Sequence, residues 1–405
     1  MTATSRAPLA GIRVLDLSRV IAAPYAAQML SDLGAQVIKV ERTGEGDMLR
    51  RTGPPFLQSR DGEDLAESSY TLASNRNKEG ITANLSHPDG QAIVLALAAK
   101  SDILIENYKV GDLARFGLDY ESVKAINPGI IYCSVTGYGQ DGSDQPALDT
   151  LFQALSGLMA LTGEPDGLPQ RVGVTIGDLA GGLFGAFAIV AALADRMRGG
   201  PGRHIDMSLL DASFALTHHR TQQYLMSGVV PARLGSSVSE IPPAQAFRCR
   251  DGMLMIHAAD EKRYAALCAV LEAPELGSDP KFATRVSRRD NRLELLARIE
   301  QKLADQTVDV WVDRLTRGGV MACPINDVAQ ATTNPDIVRR EMVVEVDHPM
   351  AGRIPLIGSP IRMTDCPRPD YRAPPAIGEH TDTVLARELG FDAGKIAALR
   401  EAGAI

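Results

Sequence analysis

The sequence predicts an α/β protein: a large domain built on a Rossmann-like open parallel sheet, and a smaller α+β domain. Three observations lead there. Strand-like runs alternate with helix-like runs over the first 135 residues. A stretch rich in Gly, Ser, Pro and Val at 228–245 interrupts that order, and a second group of elements follows it. Finally, 405 residues are too many for one small domain.

The elements follow in order. Residues 11–17 form a strand, and Pro24 opens a helix through Ala26, Ala27, Met29 and Leu30 that stops at Gly34. Residues 36–41 are a second strand, so the two lie parallel with a right-handed crossover. Residues 81–85 are strand-like, and 90–100 form an Ala- and Leu-rich helix. Strands at 102–106 and 129–135 flank a short helix at 123–126. A strand over 171–176 precedes a long small-residue helix, 179–197, which ends in Gly199-Gly200-Pro201-Gly202. A strand at 204–207 and a helix at 209–224 come next. The second group has a strand at 252–258 and helices near 262–271, 291–305 and 308–317; a last helix lies near 381–389. The expected division is therefore a large domain over 1–200, a linker over 201–245 and a small domain over 246–320. Residues 321–405 form a linker and a return to the large domain.

Composition narrows the function. Lys plus Arg is 42 against 50 Asp plus Glu, a net charge of −8, which argues against a general nucleic-acid partner but leaves room for a local basic pocket. With 45% hydrophobic and 23% charged residues the chain is globular, not disordered. Cys133, Cys249, Cys268, Cys323 and Cys366 form no CxxC pair, so neither a disulfide framework nor a metal site is expected, and a reducing compartment fits. Residues 1–8 carry no signal-peptide core, and the longest apolar run, 183–193, is too short to span a bilayer. A cytoplasmic location without a membrane partner is the expectation.

Gly137-Tyr138-Gly139-Gln140-Asp141-Gly142 matches GxGxxG, but loop residues follow it, so it reads as a turn and not a dinucleotide fingerprint. Arg42 ends the second strand, where Rossmann-type folds meet a ribose or its phosphate. Lys78 and Arg115 occupy further loop positions, and three cations at sheet ends could converge on one polyanion. Asp178 stands where a strand gives way to a helix. It is either an N-cap or a carboxylate nucleophile walled by Gly173, Gly177, Gly181 and Gly182. His218-His219 cannot face one metal from one helix face, and no GxSxG, P-loop or HExxH occurs.

Several spaced segments carry a resemblance. They are 8–16, 33–41, Asn77-Lys78, Glu106-Asn107-Tyr108, Gly163, Ile176-Gly177-Asp178 and Gly378-Glu379-His380-Thr381-Asp382. In these the chain resembles the family III CoA-transferases of the CaiB/BaiF type, which include formyl-CoA transferase and are related to α-methylacyl-CoA racemase. The resemblance implies that Asp178 is the nucleophile, a role compatible with an N-cap. It places CoA contacts at Ile21, Ala22, Arg42, Lys78, Asn107, Tyr108 and Arg115. It also implies an interlocked homodimer, with acyl-CoA as substrate and no permanently bound cofactor.

Three departures from the family pattern stand out. Formyl-CoA transferase has a lysine near the position of Ala147. Its four-glycine lid has its nearest counterpart here in Gly235-Ser236-Ser237. The racemases carry a His before Asp where Leu148-Asp149 stands, and racemisation needs two acid/base groups, so transfer is preferred. The expected donor is succinyl-CoA, and the acceptor a short dicarboxylate such as itaconate, mesaconate, citramalate or a glutarate. Arg171, Arg220 and Arg233, with Gly235, are the candidates for holding the acid. A racemase-like enzyme and a CoA-binding protein without turnover are the alternatives.

Overall fold

The computed structural model describes residues 6–143, 145–146, 148–238 and 241–405. Its described residues divide into two compact units. The first runs to Leu158 and takes in Val172–His219 and Asp336–Ile405; the second is Met159–Arg171 with Arg220–Pro335.

The first unit is organised by six parallel strands: β1 (Arg13–Asp16), β2 (Gln36–Glu41), β3 (Glu79–Thr82), β4 (Ile103–Glu106), β5 (Ile131–Thr136) and β6 (Arg203–Ser208). Their order is β3-β2-β1-β4-β5-β6, the doubly wound arrangement whose direction reverses between β1 and β4. Strands covered on both faces are rich in apolar residues, as β4 (ILIE) at the centre is, whereas the edge strand β6 (RHIDMS) is polar and largely exposed. Leu15, Ile38, Val40, Ile81, Leu104 and Tyr132 pack on one face against α2 (Pro88–Ala98), α3 (Tyr120–Ile126) and the chain's last helices, Thr381–Leu389 and Ala393–Glu401. Val14, Val37, Ile103, Ile105, Ile131 and Cys133 pack on the other against α1 (Ala22–Asp32) and the helix Ile176–Met197. The second unit is a three-stranded antiparallel sheet, β7 (Ala244–Arg248), β8 (Met253–His257) and β9 (Met321–Pro324). It lies over a core of Phe247, Leu254, Ile256, Leu295, Ile299 and Trp311.

Four expectations change. Residues 171–176 make no strand: the Val172 N–H donates to Gln153 Oε1 at 2.8 Å instead of to a neighbouring strand. Residues 201–219 are not linker; they supply β6 and α6 (Leu209–Ala215), because β6 completes the sheet beside β5. The helix expected over 209–224 breaks after α6, where the Thr217 hydroxyl donates back to Phe214 O and His218 has φ +33°. It resumes as α7 (His218–Ser227). Last, the apolar run at 183–193 belongs to a helix of 22 residues, long and apolar enough to cross a membrane by length and composition. The structure adds the short hairpin of Phe56–Gln58 with Asp64–Ser68 and a final helix, Ala393–Glu401, neither of which the sequence pattern marks.

Candidate active site

Parallel strands deliver their following loops to one edge, and at the switch point those loops part to leave a crevice. Here a cavity of about 510 Å³ opens beyond the carboxyl ends of β1 to β4. Its wall combines Leu17 and Arg19 after β1, Arg42 after β2, Ala83 to Ser86 after β3, and Tyr108, Arg115 and Phe116 after β4, with Arg51 from a neighbouring turn. Arg42 and Arg115 are mostly exposed and carry partners that anionic groups could replace: Glu45 at 3.0 Å and Asp112 at 3.9 Å. The Arg19 guanidinium stacks 4.2 Å over the Tyr108 ring. Asn107 holds that pair in place, its Oδ1 accepting the Arg19 N–H at 2.8 Å while its Nδ2 donates to Arg19 O at 2.6 Å.

Lys78 does not join them. It precedes β3, which begins at Glu79 and not at 81, so its side chain runs into the protein. There the fully enclosed Nζ donates to Asp16 Oδ2 at 2.8 Å, Pro24 O at 2.8 Å and Asn75 Oδ1 at 2.9 Å. Burial, against the pull of Asp16, lowers the ammonium to about 8. Burial pushes Asp16 the other way, but the Lys78 and Lys39 charges outweigh it and hold that carboxyl below its ordinary range. In place of the expected Arg42, Lys78 and Arg115, four guanidinium groups line the cavity, Arg19, Arg42, Arg51 and Arg115, while Lys78 is buried against Asp16. Arg19 carries the same strand-end signal as Arg42, whereas Arg51 lies in the adjacent turn Met48–Arg51.

Asp178 lies on α5 (Ile176–Met197), the crossover helix between β5 and β6, so its N-terminus reaches the same carboxyl edge of the sheet. The helix begins earlier than the sequence suggests, with Thr175 at the N-cap, so Asp178 stands third in the first turn and is not the cap. Gly181 and Gly182 let α1 come close: a Cβ on Gly182 would sit 2.6 Å from Ala22 O. That approach sets Ala22 against Gly181 and Gly182, about one turn along α5 from Asp178; Ile21, which precedes Ala22, is also buried.

The Asp178 carboxyl is only 9% exposed. Burial first, and then the Asp149 charge, push it up to about 7. Asp149, on α4 (Asp149–Leu155), accepts the N–H groups of Gly177 at 2.8 Å and Asp178 at 3.3 Å through Oδ1. No local pattern ties residue 149 to 177, so this contact was invisible in the sequence. Leu148, at the position of the racemase histidine, offers no acid or base.

In the second unit, Arg220 donates to Ala232 O at 2.8 Å and Gln223 Oε1 at 3.1 Å. Arg233 donates to Gly167 O at 2.6 Å and Glu164 O at 3.1 Å. Gly235, at φ +59°, donates its N–H to Gly163 O at 3.0 Å. Arg233 and Gly235 therefore tie the 233–235 segment to the 163–167 loop, and Arg171 is exposed at the end of the same 159–171 segment. Ala147, and residues 239–240 just past the lid candidate Gly235-Ser236-Ser237, lie outside the described residues. The 137–142 glycines form a turn, with Gly139 at φ +88° and the Gln140 N–H on Asp206 Oδ2 at 3.0 Å.

The sequence profile of CoA-transferase family III matches residues 9–381. The chain belongs to that family. It is 40% identical over 403 residues to the succinyl-CoA:glutarate CoA-transferase of Mus musculus, covering 99% of this chain and 91% of that one. It is 40% identical over 386 residues to the succinate–glutarate CoA-transferase of Agrobacterium fabrum, covering 94% and 95%. Among solved structures, a CaiB/BaiF family protein from Brucella suis superposes with a TM-score of 0.87 at 39% identity, covering 94% of this chain and 99% of that one. As a family III CoA-transferase the protein takes acyl-CoA as substrate. The cavity offers what such a molecule needs: guanidinium groups for phosphates and an aromatic ring at the mouth of the crevice.

Proposed function

We propose that the protein moves CoA from succinyl-CoA to a short dicarboxylic acid, with Asp178 as nucleophile and CoA phosphates held by Arg19, Arg42, Arg51 and Arg115. The Asp178 carboxylate attacks the donor's thioester carbonyl; the C–S bond breaks, leaving an aspartyl-acyl anhydride and CoA thiolate. The thiolate attacks the aspartyl carbonyl, giving an aspartyl-CoA thioester and free succinate. The acceptor carboxylate attacks that thioester, and the returning thiolate takes its acyl group and restores Asp178. The thioester's free energy is conserved only if water stays out, and the buried setting of Asp178 serves that. The observation that carries the reading is a buried, unusually basic carboxylate in the first turn of α5 in a family III CoA-transferase. Glutarate is the first acceptor to test, because the mouse and Agrobacterium relatives are named for it; itaconate, mesaconate and citramalate share its chemistry. The same reading includes a homodimer.

The experiment is transfer from succinyl-CoA across a panel of C4–C6 acids, with Asp178→Ala and Asp178→Asn beside the parent. Both variants should lose at least ~10³-fold in kcat while CoA affinity stays within about threefold. Hydroxylamine should trap an adduct in the parent only. Transfer surviving in Asp178→Ala would remove the nucleophile, activity with monocarboxylates alone would remove the dicarboxylate, and absence of any adduct would favour a CoA-binding protein without turnover.

A further inference from the structure

The first turn of a helix has amide donors without intrahelical partners, and they normally stabilise a nearby anion. On α5 two of them are already taken. Asp149 Oδ1 accepts Gly177 N–H and Asp178 N–H, and its Oδ2 accepts Gln153 Nε2 at 2.6 Å. Gln153 is fully buried and its Oε1 is fixed by Val172 N–H, so it can present only its NH₂ to Asp149. Gly177 leaves room for this arrangement: a Cβ there would lie 2.6 Å from Ser213 Oγ and 2.9 Å from Asp149 Oδ1. A carboxylate is thus held at the start of the helix that carries the nucleophile, aimed by a buried amide and admitted by a glycine.

We propose that Asp149, aimed by Gln153, is a positioning residue for transfer: it fixes the first turn of α5 and sets a standing negative charge beside Asp178 that favours its acyl forms over its free carboxylate. The proposal rests on Asp178 being the nucleophile. When an Asp178 oxygen bonds the donor's carbonyl carbon, the C–S electron pair leaves on the thiolate, and the negative charge leaves Asp178 with it. Repulsion from Asp149 is present before this step and relieved after it, so it lowers the cost of acylation. A more basic carboxylate is also the better nucleophile. Among the described residues, burial and the Asp149 charge are what act on Asp178; α6 brings Ser213 to Gly177, and α1 brings Ala22 and Tyr25 to Gly182. Burial holds the Tyr25 phenol above its ordinary range and therefore neutral.

The test compares the parent with Asp149→Asn and Asp149→Ser, neutral residues that still accept from helix amides, and with Asp149→Glu, which restores the charge. Single-turnover acylation by succinyl-CoA, trapped with hydroxylamine, is followed from pH 5.5 to 9, alongside thermal unfolding. Both neutral variants should acylate roughly tenfold more slowly at pH 8, with KM for the donor within about twofold. The acid limb of kcat/KM, which in the parent falls near the Asp178 value of about 7, should move down by about one pH unit. Asp149→Glu should return it toward the parent. A limb that stays put in both neutral variants while the Asp178 adduct still traps would overturn this proposal alone. An adduct in Asp178→Asn would overturn the nucleophile and this proposal with it.

Discussion

Lys78 shows how one side chain can be assigned a site by its neighbours in sequence and a different one by its neighbours in space. Its ammonium is wholly enclosed with Asp16, whose carboxylate has the same depth. Removing one member of such a pair leaves the other as an uncompensated charge, a loss of about 3–5 kcal/mol. Lys78→Met should therefore lower stability by that amount in urea denaturation, with Lys39 easing the lower end of the range. A variant that kept full stability but bound CoA tenfold more weakly would return Lys78 to the list of CoA contacts. Arg42 was legible because it directly follows β2, and Arg115 because the segment after β4 returns to the same edge of the sheet. Lys78 looked alike only because β3 was read two residues late. Asp149 was illegible for another reason: its partners are amides 28 and 29 residues on, brought to it by packing of α4 on α5.

At the scale of elements, the parallel sheet was readable because its inner strands concentrate Val, Ile and Leu between helix-like segments, and β2 falls on the expected residues, 36–41. The start of α5 was harder. Val172 to Thr175 look strand-like, but the Val172 amide donates to Gln153 of α4 and the Val174 carbonyl accepts from it, and the helix begins at Ile176. Once begun, α5 depends on glycine for its contact with α1. A methyl on Gly182 would meet Ala22 O at 2.6 Å and the Tyr25 ring at 3.0 Å, and a backbone oxygen cannot swing aside. Gly182→Ala should cost about 1–3 kcal/mol of stability through overpacking, despite alanine's better helix propensity of about 1 kcal/mol. It should also disturb the Ile21-Ala22 turn, raising KM for acyl-CoA. Differential scanning calorimetry and donor kinetics check both halves; an unchanged or raised Tm would mean the two helices are looser than described.

The whole molecule has a surface that one chain leaves unexplained. The small-residue face of α5, with Gly181, Gly185, Ala186 and Ile189, is buried, while Leu183, Phe184, Phe187 and Val190 project from its other side. Phe187 is 74% exposed. Leu151 and Leu155 of α4 and Phe214 of α6 are exposed as well, on helices that pack against α5. Helix α5 is apolar enough to cross a bilayer, yet its inner face is already spent on α1 and the sheet. Covering its outer face would gain about 25 cal/mol per Å² of apolar surface buried, and the proposed homodimer, implied by the family resemblance, would provide that cover. Sedimentation at micromolar concentration should give two chains per particle. Phe184→Asp combined with Phe187→Asp should shift it to one, with loss of transfer if the site requires the partner. A parent protein that sediments as a single chain without aggregating would remove the dimer and leave the exposed face of α5 to another occupant.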